Sequence, residues 1–325
     1  MIALLSFLIV LSFSVSVEAA GPFVASVVVA PSDATDEAKA KADLVCDGRD
    51  DQEELLKSLK EAPTYTSRAA GAPSDMRQRQ WRGRHSALWL PGTYQLSKTL
   101  EFPELSDFAL FSEGSYLVYQ PNQGDVIHVN QAIRSRFNFG TIDSHSTGTC
   151  ITVTGVTMSV ISCMGLIGHV QQGTGLRLYG TSTSKYEITD VSGFETGILV
   201  DDISHKLDTN WFWVSYVRNC KTCIWEKGQN VDNNVWHVNV DATLPGSVGL
   251  RIAGDMGNWH VIMGTYRFEG NNQALILEPG AEGNIIFMQP PLEQFAATNN
   301  SGNDTNAVIS TPRYRELLRL LEQAP

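Results

Sequence analysis

From about residue 126 onward, a small residue followed by a short apolar run returns at a nearly constant interval. The instances are Val126-Ile127, Cys150-Ile151, Gly175-Leu176, Gly197-Ile198, Cys223-Ile224, Gly249-Leu250 and Ala274-Leu275, with the apolar anchors 22 to 26 residues apart. Two further strand-like runs follow each anchor. One contains Phe137, Ile161, Tyr186, Phe212, Val235 and Ile285; the later one contains Ile142, Ile167, Val191, Val217, Val240 and Tyr266. Gly, Asn, Asp and Ser lie between the runs, and the apolar stretches are too short for a repeat of paired helices. A unit of this size cannot bury its apolar face alone, but it can do so against the next unit. The pattern therefore predicts an all-β, single-stranded, right-handed parallel β-helix. Each strand should lie about 4.8 Å from its equivalent one coil away. Each anchor then contributes roughly 1.5–3 kcal/mol by leaving water, and the small residue before it fits a tight turn into the strand.

The ends of such a solenoid expose apolar surface and open strand edges, so they need covers. Val24 to Ala30 reads as a strand, and a helix from about Asp33 to Ala42 follows with Asp33 as N-cap. A second capping helix over residues 50–59 starts with acidic residues that suit its positive end, and Leu55, Leu56 and Leu59 form its apolar stripe. Arg313 to Gln323 repeats the pattern with Tyr314, Leu317, Leu318 and Leu321; a membrane or partner helix is the alternative there. Pro63 to Ser86 is polar and Arg-rich, a surface loop. The expected organisation is thus a leader over residues 1–19, an N-terminal cap region over 20–62, a loop insertion over 63–86, the β-helix over 87–298, and a tail with a capping helix over 299–325.

Composition narrows the partners. The 325-residue chain carries a formal net charge of −11, which argues against binding nucleic acid or an anionic membrane through its overall field. Ile2 to Val17 is apolar or small throughout, and Val17-Glu18-Ala19 offers a signal-peptidase site. Cleavage after Ala19 is expected, giving a secreted, cell-surface or periplasmic protein with no remaining membrane association; an uncleaved anchor is the alternative. The five cysteines are too few and too odd in number for a disulfide scaffold. Cys220-Lys221-Thr222-Cys223 has the spacing of half a zinc site or a redox pair, against the reading of small buried thiols. Asn299-Asn300-Ser301 and Asn303-Asp304-Thr305 match the glycosylation acceptor pattern.

If the anchors point inward, strand alternation places two columns outward. The first is His128, Thr152, Arg177, Leu199, Trp225, Arg251 and Ile276. The second is Asn130, Thr154, Tyr179, Asp201, Lys227, Ala253 and Glu278. Arg177, Tyr179, Asp201, Trp225, Lys227 and Arg251 should then form one patch spanning ~14 Å at ~4.8 Å per coil. Arg177 and Arg251 could hold a uronate carboxylate or sulfate, and Trp225 could stack on a sugar ring. Lys227 or Tyr179 could take the proton alpha to that carboxylate in a β-elimination. Asp201 could orient one of them, or bind calcium together with Asp202. The plainer reading is a solubilising ladder in which Asp201 and Lys227 form an ordinary surface ion pair. Trp211, Trp213, Trp236 and Trp259, with His237 and His260 beside them, fall in the middle run of successive coils. Some must be core, and the remainder could form a sugar platform. Glu187 and Asp190 lie nearer that face than the first one.

Asp43-Leu44-Val45-Cys46-Asp47-Gly48-Arg49-Asp50-Asp51-Gln52-Glu53-Glu54-Leu55, followed by Leu88-Trp89-Leu90-Pro91-Gly92-Thr93-Tyr94, resembles the N-terminal opening of pectate-lyase-like β-helix proteins. That family shows a D-G-x-x-D-D run leading into a capping helix, then an apolar strand closed by P-G-x-Y. With the coil repeat, the resemblance covers roughly residues 24 to 290. It implies the right-handed parallel β-helix; for activity it implies only a range that runs from lyases and hydrolases to non-enzymes. The long 63–86 insertion departs from the family's short turn. Of the paired-Asp, Gly-His-Gly and Arg-x-Lys set of polygalacturonase-like hydrolases, Asp201-Asp202 supplies only the paired carboxylates, and Gly168-His169 lacks the following Gly. The leading expectation is a secreted protein that binds an acidic polysaccharide and cleaves it by elimination, a polysaccharide lyase before a glycoside hydrolase. A non-catalytic carbohydrate-binding or adhesion protein on the same fold is the alternative. No cofactor beyond calcium is implied, and the oligomeric state stays open.

Overall fold

The computed structural model describes residues 26–61, 85–201, 207–228, 231–253, 258–262, 272–288, 296–302 and 304–310. The leader, most of the 63–86 insertion, Asp202 and the C-terminal helix expected from Arg313 lie outside the described residues. The fold is a parallel β-solenoid of about eight turns. Its seven anchors are consecutive register partners: Ile127 faces Ile151, then Leu176, Ile198, Ile224, Leu250 and Leu275, one per coil. All seven are buried. The small residues preceding them are needed. A Cβ on Gly197 would come within 2.5 Å of Val217 Cγ1 and 2.6 Å of the Cys223 carbonyl oxygen.

The anchors belong to a nine-stranded sheet running from Leu100–Phe102 to Ala296–Asn299, called here the anchor sheet. Opposite it lies a thirteen-stranded sheet, the long sheet. The middle and later runs expected in each coil are not separate strands but parts of one long strand. Val160–Gly168, for example, carries both Ile161 and Leu166 inward. The Gly140, Gly165, Asp190, Ser215 and Asn239 that lie between the runs stay within the strand instead of turning the chain. In the strand Arg136–Ser144, Gly140 marks the register shift, and a Cβ there would meet the Ser115 carbonyl oxygen at 2.0 Å. In three of these runs the buried column passes through the neighbour of the residue that marks the run. Trp236 and Ile286, not Val235 and Ile285, continue the column from Phe212, and Leu166, not Ile167, pairs with Ile142 and Val191. β-branched residues occur on both faces here, so alternation alone did not choose the face.

A third, narrow face completes each coil. It consists of two-residue strands and single bridges linking Ser106, Ile133, Thr157, Ser182, Asp208 and Asp232. Between it and the long sheet runs a buried ladder of side-chain hydrogen bonds. Ser135 N–H donates to Ser159 Oγ (3.0 Å), Ser159 N–H to Ser184 Oγ (3.2 Å) and Ser184 N–H to Asn210 Oδ1 (3.1 Å). Asn210 donates to Asn234 and Asn234 to Asn258, each at 3.0 Å. The preceding residues Arg134, Met158, Thr183, Thr209 and Asn233 all have positive φ, from 50° to 57°. Each coil therefore repeats a left-handed turn, and the ladder satisfies backbone donors that would otherwise be stranded indoors.

The N-terminal region is continuous with the long sheet. Val27–Ala30 pairs with Leu44–Val45 on one side and with His85–Trp89 on the other, so the strand His85–Trp89 takes in the last two residues of the expected loop. Helix α1 spans Asp36–Lys41 and is capped by Thr35, whose hydroxyl accepts from Ala38 N–H at 3.2 Å. Asp33 is not the N-cap; its carboxylate accepts instead from Thr93 N–H. Helix α2 spans Gln52–Glu61 and buries Leu55 and Leu59 on the open end of the solenoid. The opening motif acts as a clasp. Asp51 takes the N–H groups of Gly48 (2.8 Å) and Gln95 (2.7 Å), and the buried Tyr94 hydroxyl donates to Leu90 O at 2.8 Å. Among the described residues no helix is long and apolar enough to cross a membrane.

Candidate functional site

Both broad sheets present an outer wall, and the expected residues divide between them. On the anchor sheet the two outward columns stand in the predicted register. Thr152, Arg177, Leu199, Trp225, Arg251 and Ile276 are successive partners. Arg177, Tyr179, Asp201, Trp225, Lys227 and Arg251 are brought together, but they chiefly engage one another. The Asp201 side chain is only 4% exposed. Arg177 Nη2 donates to its Oδ2 at 2.6 Å, Tyr179 OH reaches the same oxygen at 3.4 Å, and Lys227 Nζ lies 3.5 Å from Oδ1. The Arg177 guanidinium covers the Tyr179 ring at 4.6 Å. Trp225 is flanked by Arg251 at 4.4 Å and Lys227 at 5.2 Å, and Arg251 also donates to Glu278 at 2.6 Å. Burial, the largest influence, and the Asp201 charge together raise the Tyr179 pKa above its ordinary value despite Arg177. Both groups suited to proton abstraction thus face a carboxylate.

The outer wall of the long sheet is different. The strand Trp211–Arg218 alternates over its first four residues, with Phe212 and Val214 inward and Trp211 and Trp213 outward; a register shift then brings Val217 inward. Of the four tryptophans, Trp236 is core: it stacks on Phe212 at 3.7 Å, which stacks on Tyr186 at 4.9 Å. Trp211 and Trp213 are 61% and 56% exposed, about 6.8 Å apart along the strand. The side chains of Trp259 and His260 lie outside the described residues. One coil on, His237 stacks against Trp213 at 5.0 Å; burial lowers its pKa, so it is neutral at neutral pH.

Beside Trp213 an open groove of about 420 Å³ runs across five successive strands of the long sheet, lined by Glu113, Ser162, Met164, Lys185, Glu187 and Ser215 among others. Its polar groups are fixed. Lys185 pairs with Glu187 at 2.5 Å, Ser162 donates to Glu187 at 3.0 Å, and Asn138 donates to Glu113 at 2.9 Å. Partial burial pushes the Glu187 pKa upward, but the contacts from Lys185 and Ser162 outweigh it and the net shift is downward. The Glu187 carboxylate therefore stays charged.

The five cysteines are buried free thiols. Burial raises the pKa of each, to about 12 for Cys163 and Cys220. Cys220 and Cys223 are therefore protonated thiols packed inside the solenoid.

No protein-family model matches the chain, and no curated protein matches its sequence. Among solved structures, the crystal structure of PfbA, a surface adhesin of Streptococcus pneumoniae, matches at 11% identity over 82% of this chain and 78% of that one. The TM-score of that match is 0.36, too low to bear on activity or partner. The solenoid itself, with its two unlike outer walls, is what the coordinates establish about this chain.

Proposed function

We propose that the chain is a non-catalytic glycan-binding solenoid whose docking face is the outer wall of the long sheet. The observation that carries this reading is the pair Trp211 and Trp213, on one strand, outward and more than half exposed, with Trp213 lining a groove that also holds Ser162, Lys185, Glu187 and Ser215. Exposed aromatics on a well-ordered strand mark a binding surface more strongly than exposed charges do. An indole face suits the apolar face of a pyranose, and Ser162, Lys185, Glu187 and Ser215 offer donors and acceptors to its hydroxyls. The rings are interspersed with polar groups rather than merged into one apolar patch, which favours a hydroxyl-rich partner over a second copy of the chain.

The elimination reading is weaker on this geometry. It needs Lys227 or Tyr179 free to reach a substrate, and both approach Asp201. The family resemblance does not restore it, because Asp51 and Tyr94 of the shared motif close the cap far along the chain from either wall's ligand-facing side chains. The test is a panel of neutral and uronic-acid polysaccharides, read by affinity electrophoresis and by absorbance of unsaturated product. Retardation lost in Trp211→Ala and Trp213→Ala but kept in Arg177→Ala and Lys227→Ala is expected, with no product. Product formation that disappears in Lys227→Ala would overturn the proposal. Self-association that the two Trp variants abolish, without any glycan retardation, would assign the face to a second copy instead.

A further inference from the structure

At one edge of the solenoid, where the long-sheet strands end, three further side chains converge. Asp143 is the penultimate residue of the strand Arg136–Ser144, and His145 follows that strand. His169 follows the neighbouring strand Val160–Gly168. Ser144 pairs with Gly168, so the two histidines occupy equivalent positions one coil apart. Their rings stack 4.4 Å apart at 13°.

The Asp143 carboxylate lies at the foot of this pair and is 8% exposed as a residue. Its Oδ2 accepts from the Tyr116 hydroxyl at 2.5 Å. Its Oδ1 is 2.6 Å from His169 Nε2 and 3.9 Å from His145 Nε2. That oxygen is buried and lies within reach of two imidazole nitrogens. A carboxylate oxygen held out of water needs a positive partner, which an imidazolium or a metal cation can be. Two imidazole nitrogens converging on one buried carboxylate oxygen are donor types that a transition-metal cation takes.

We infer that Asp143, His145 and His169 form a site for a divalent transition metal, zinc being the ion the donor set suits. One ligand atom from each already lies within 4.8 Å of the others, and small side-chain rotations would bring them to the roughly 2.0–2.2 Å of zinc coordination. Two imidazoles and one carboxylate favour zinc over calcium, which takes oxygen ligands almost exclusively. The histidine side chains are 41% and 45% exposed. Three protein ligands therefore leave a coordination position facing solvent, open to water or to an oxygen of a ligand. Tyr116 positions the carboxylate through Oδ2 and belongs to the supporting shell.

The test uses the full chain freed of metal by a chelator, titrated with zinc against a chromophoric indicator and, separately, with cobalt(II). One zinc equivalent and visible cobalt bands of a nitrogen–oxygen site are expected. His145→Ala and His169→Ala should each lose both, while Tyr116→Phe keeps the stoichiometry with affinity weakened about 10–100-fold. His128→Ala, a histidine on the other sheet, and Trp213→Ala should retain the full equivalent, which separates this site from the glycan face. Because His145 and His169 are exposed, unchanged melting curves are expected for their variants. Wild-type protein that takes up no zinc, or an equivalent that persists in both histidine variants, overturns the inference.

Discussion

The two outer walls are built by the same coil, yet they end up chemically opposite. On the anchor sheet every cation of the patch has an internal partner: Arg177 and Lys227 have Asp201, and Arg251 has Glu278 and the Trp225 face. On the long sheet, two tryptophans project from the strand beside a groove whose charges are already positioned by Lys185, Ser162 and Asn138. The first wall looks richer in chemistry when its residue types are written out, but it spends them on itself. A parallel solenoid aligns each outward position with its neighbours about 4.8 Å away, so opposite charges placed one coil apart find each other before any ligand does. Large apolar rings placed outward gain less from such neighbours and stay available to a partner.

The comparison can be broken or sharpened by substitution. The largest effect is expected at the interior shared by both walls. Ile198→Asp places an unpaired charge in the anchor column and should cost about 4–5 kcal/mol or more, a large part of the ~5–15 kcal/mol that holds a domain together. Circular dichroism should show an unfolded or aggregated chain, and a soluble variant that melts with wild type would sink the stacking account. Asp201→Ala should come next. It leaves Arg177 and Lys227 close together with no counter-charge. Breaking a buried pair costs ~3–5 kcal/mol, but both cations are about one-third exposed, so screening reduces the expected loss to about 1–3 kcal/mol. Denaturant titration reads it, with glycan retardation unchanged.

Trp213→Ala reverses the signature: stability within about 0.5 kcal/mol of wild type, and glycan affinity down about tenfold, roughly 1.4 kcal/mol. Equal losses of stability and affinity would mean that the ring is structural. The smallest effect concerns Glu187. Its pKa is lowered below its ordinary 4.5, so its contribution is fully present above that value and disappears as pH falls through the lowered one. Wild type should therefore lose slightly more stability on acidification than Glu187→Gln, measured as the difference in melting temperature between neutral and acid buffers.

The anchor sheet was legible because its columns are spaced regularly and each is preceded by a small residue that the packing demands, as at Gly197. The outward columns followed from strand alternation, so Arg177, Asp201 and Lys227 were correctly expected to be neighbours. The long sheet was harder. Val235 and Trp236 are adjacent and both are strand formers, and only pairing with Trp211 and Phe212 settles which faces inward. The Ser135-to-Asn258 ladder repeats every 24 to 26 residues, but short polar residues before a strand look like ordinary turns until their hydrogen bonds are seen. The Asp143–His145–His169 cluster carries a comparable signal, two histidines one coil apart, but nothing in the sequence marks them as facing one carboxylate.

The chain's own order of residues determined the coil: a repeat near 25, a buried column in every turn, and a clasp of Asp51 and Tyr94 at the start. Those features depend on local alternation and on spacing, which a linear sequence displays directly. Which outward side chains would be consumed by their neighbours, and which left to meet a partner, was decided only when the coils stacked. Ion pairs, ring stacking and the Asp143–His169 contact all arise between residues about one coil apart. Their geometry depends on a register and a side-chain direction that no spacing in the sequence specifies.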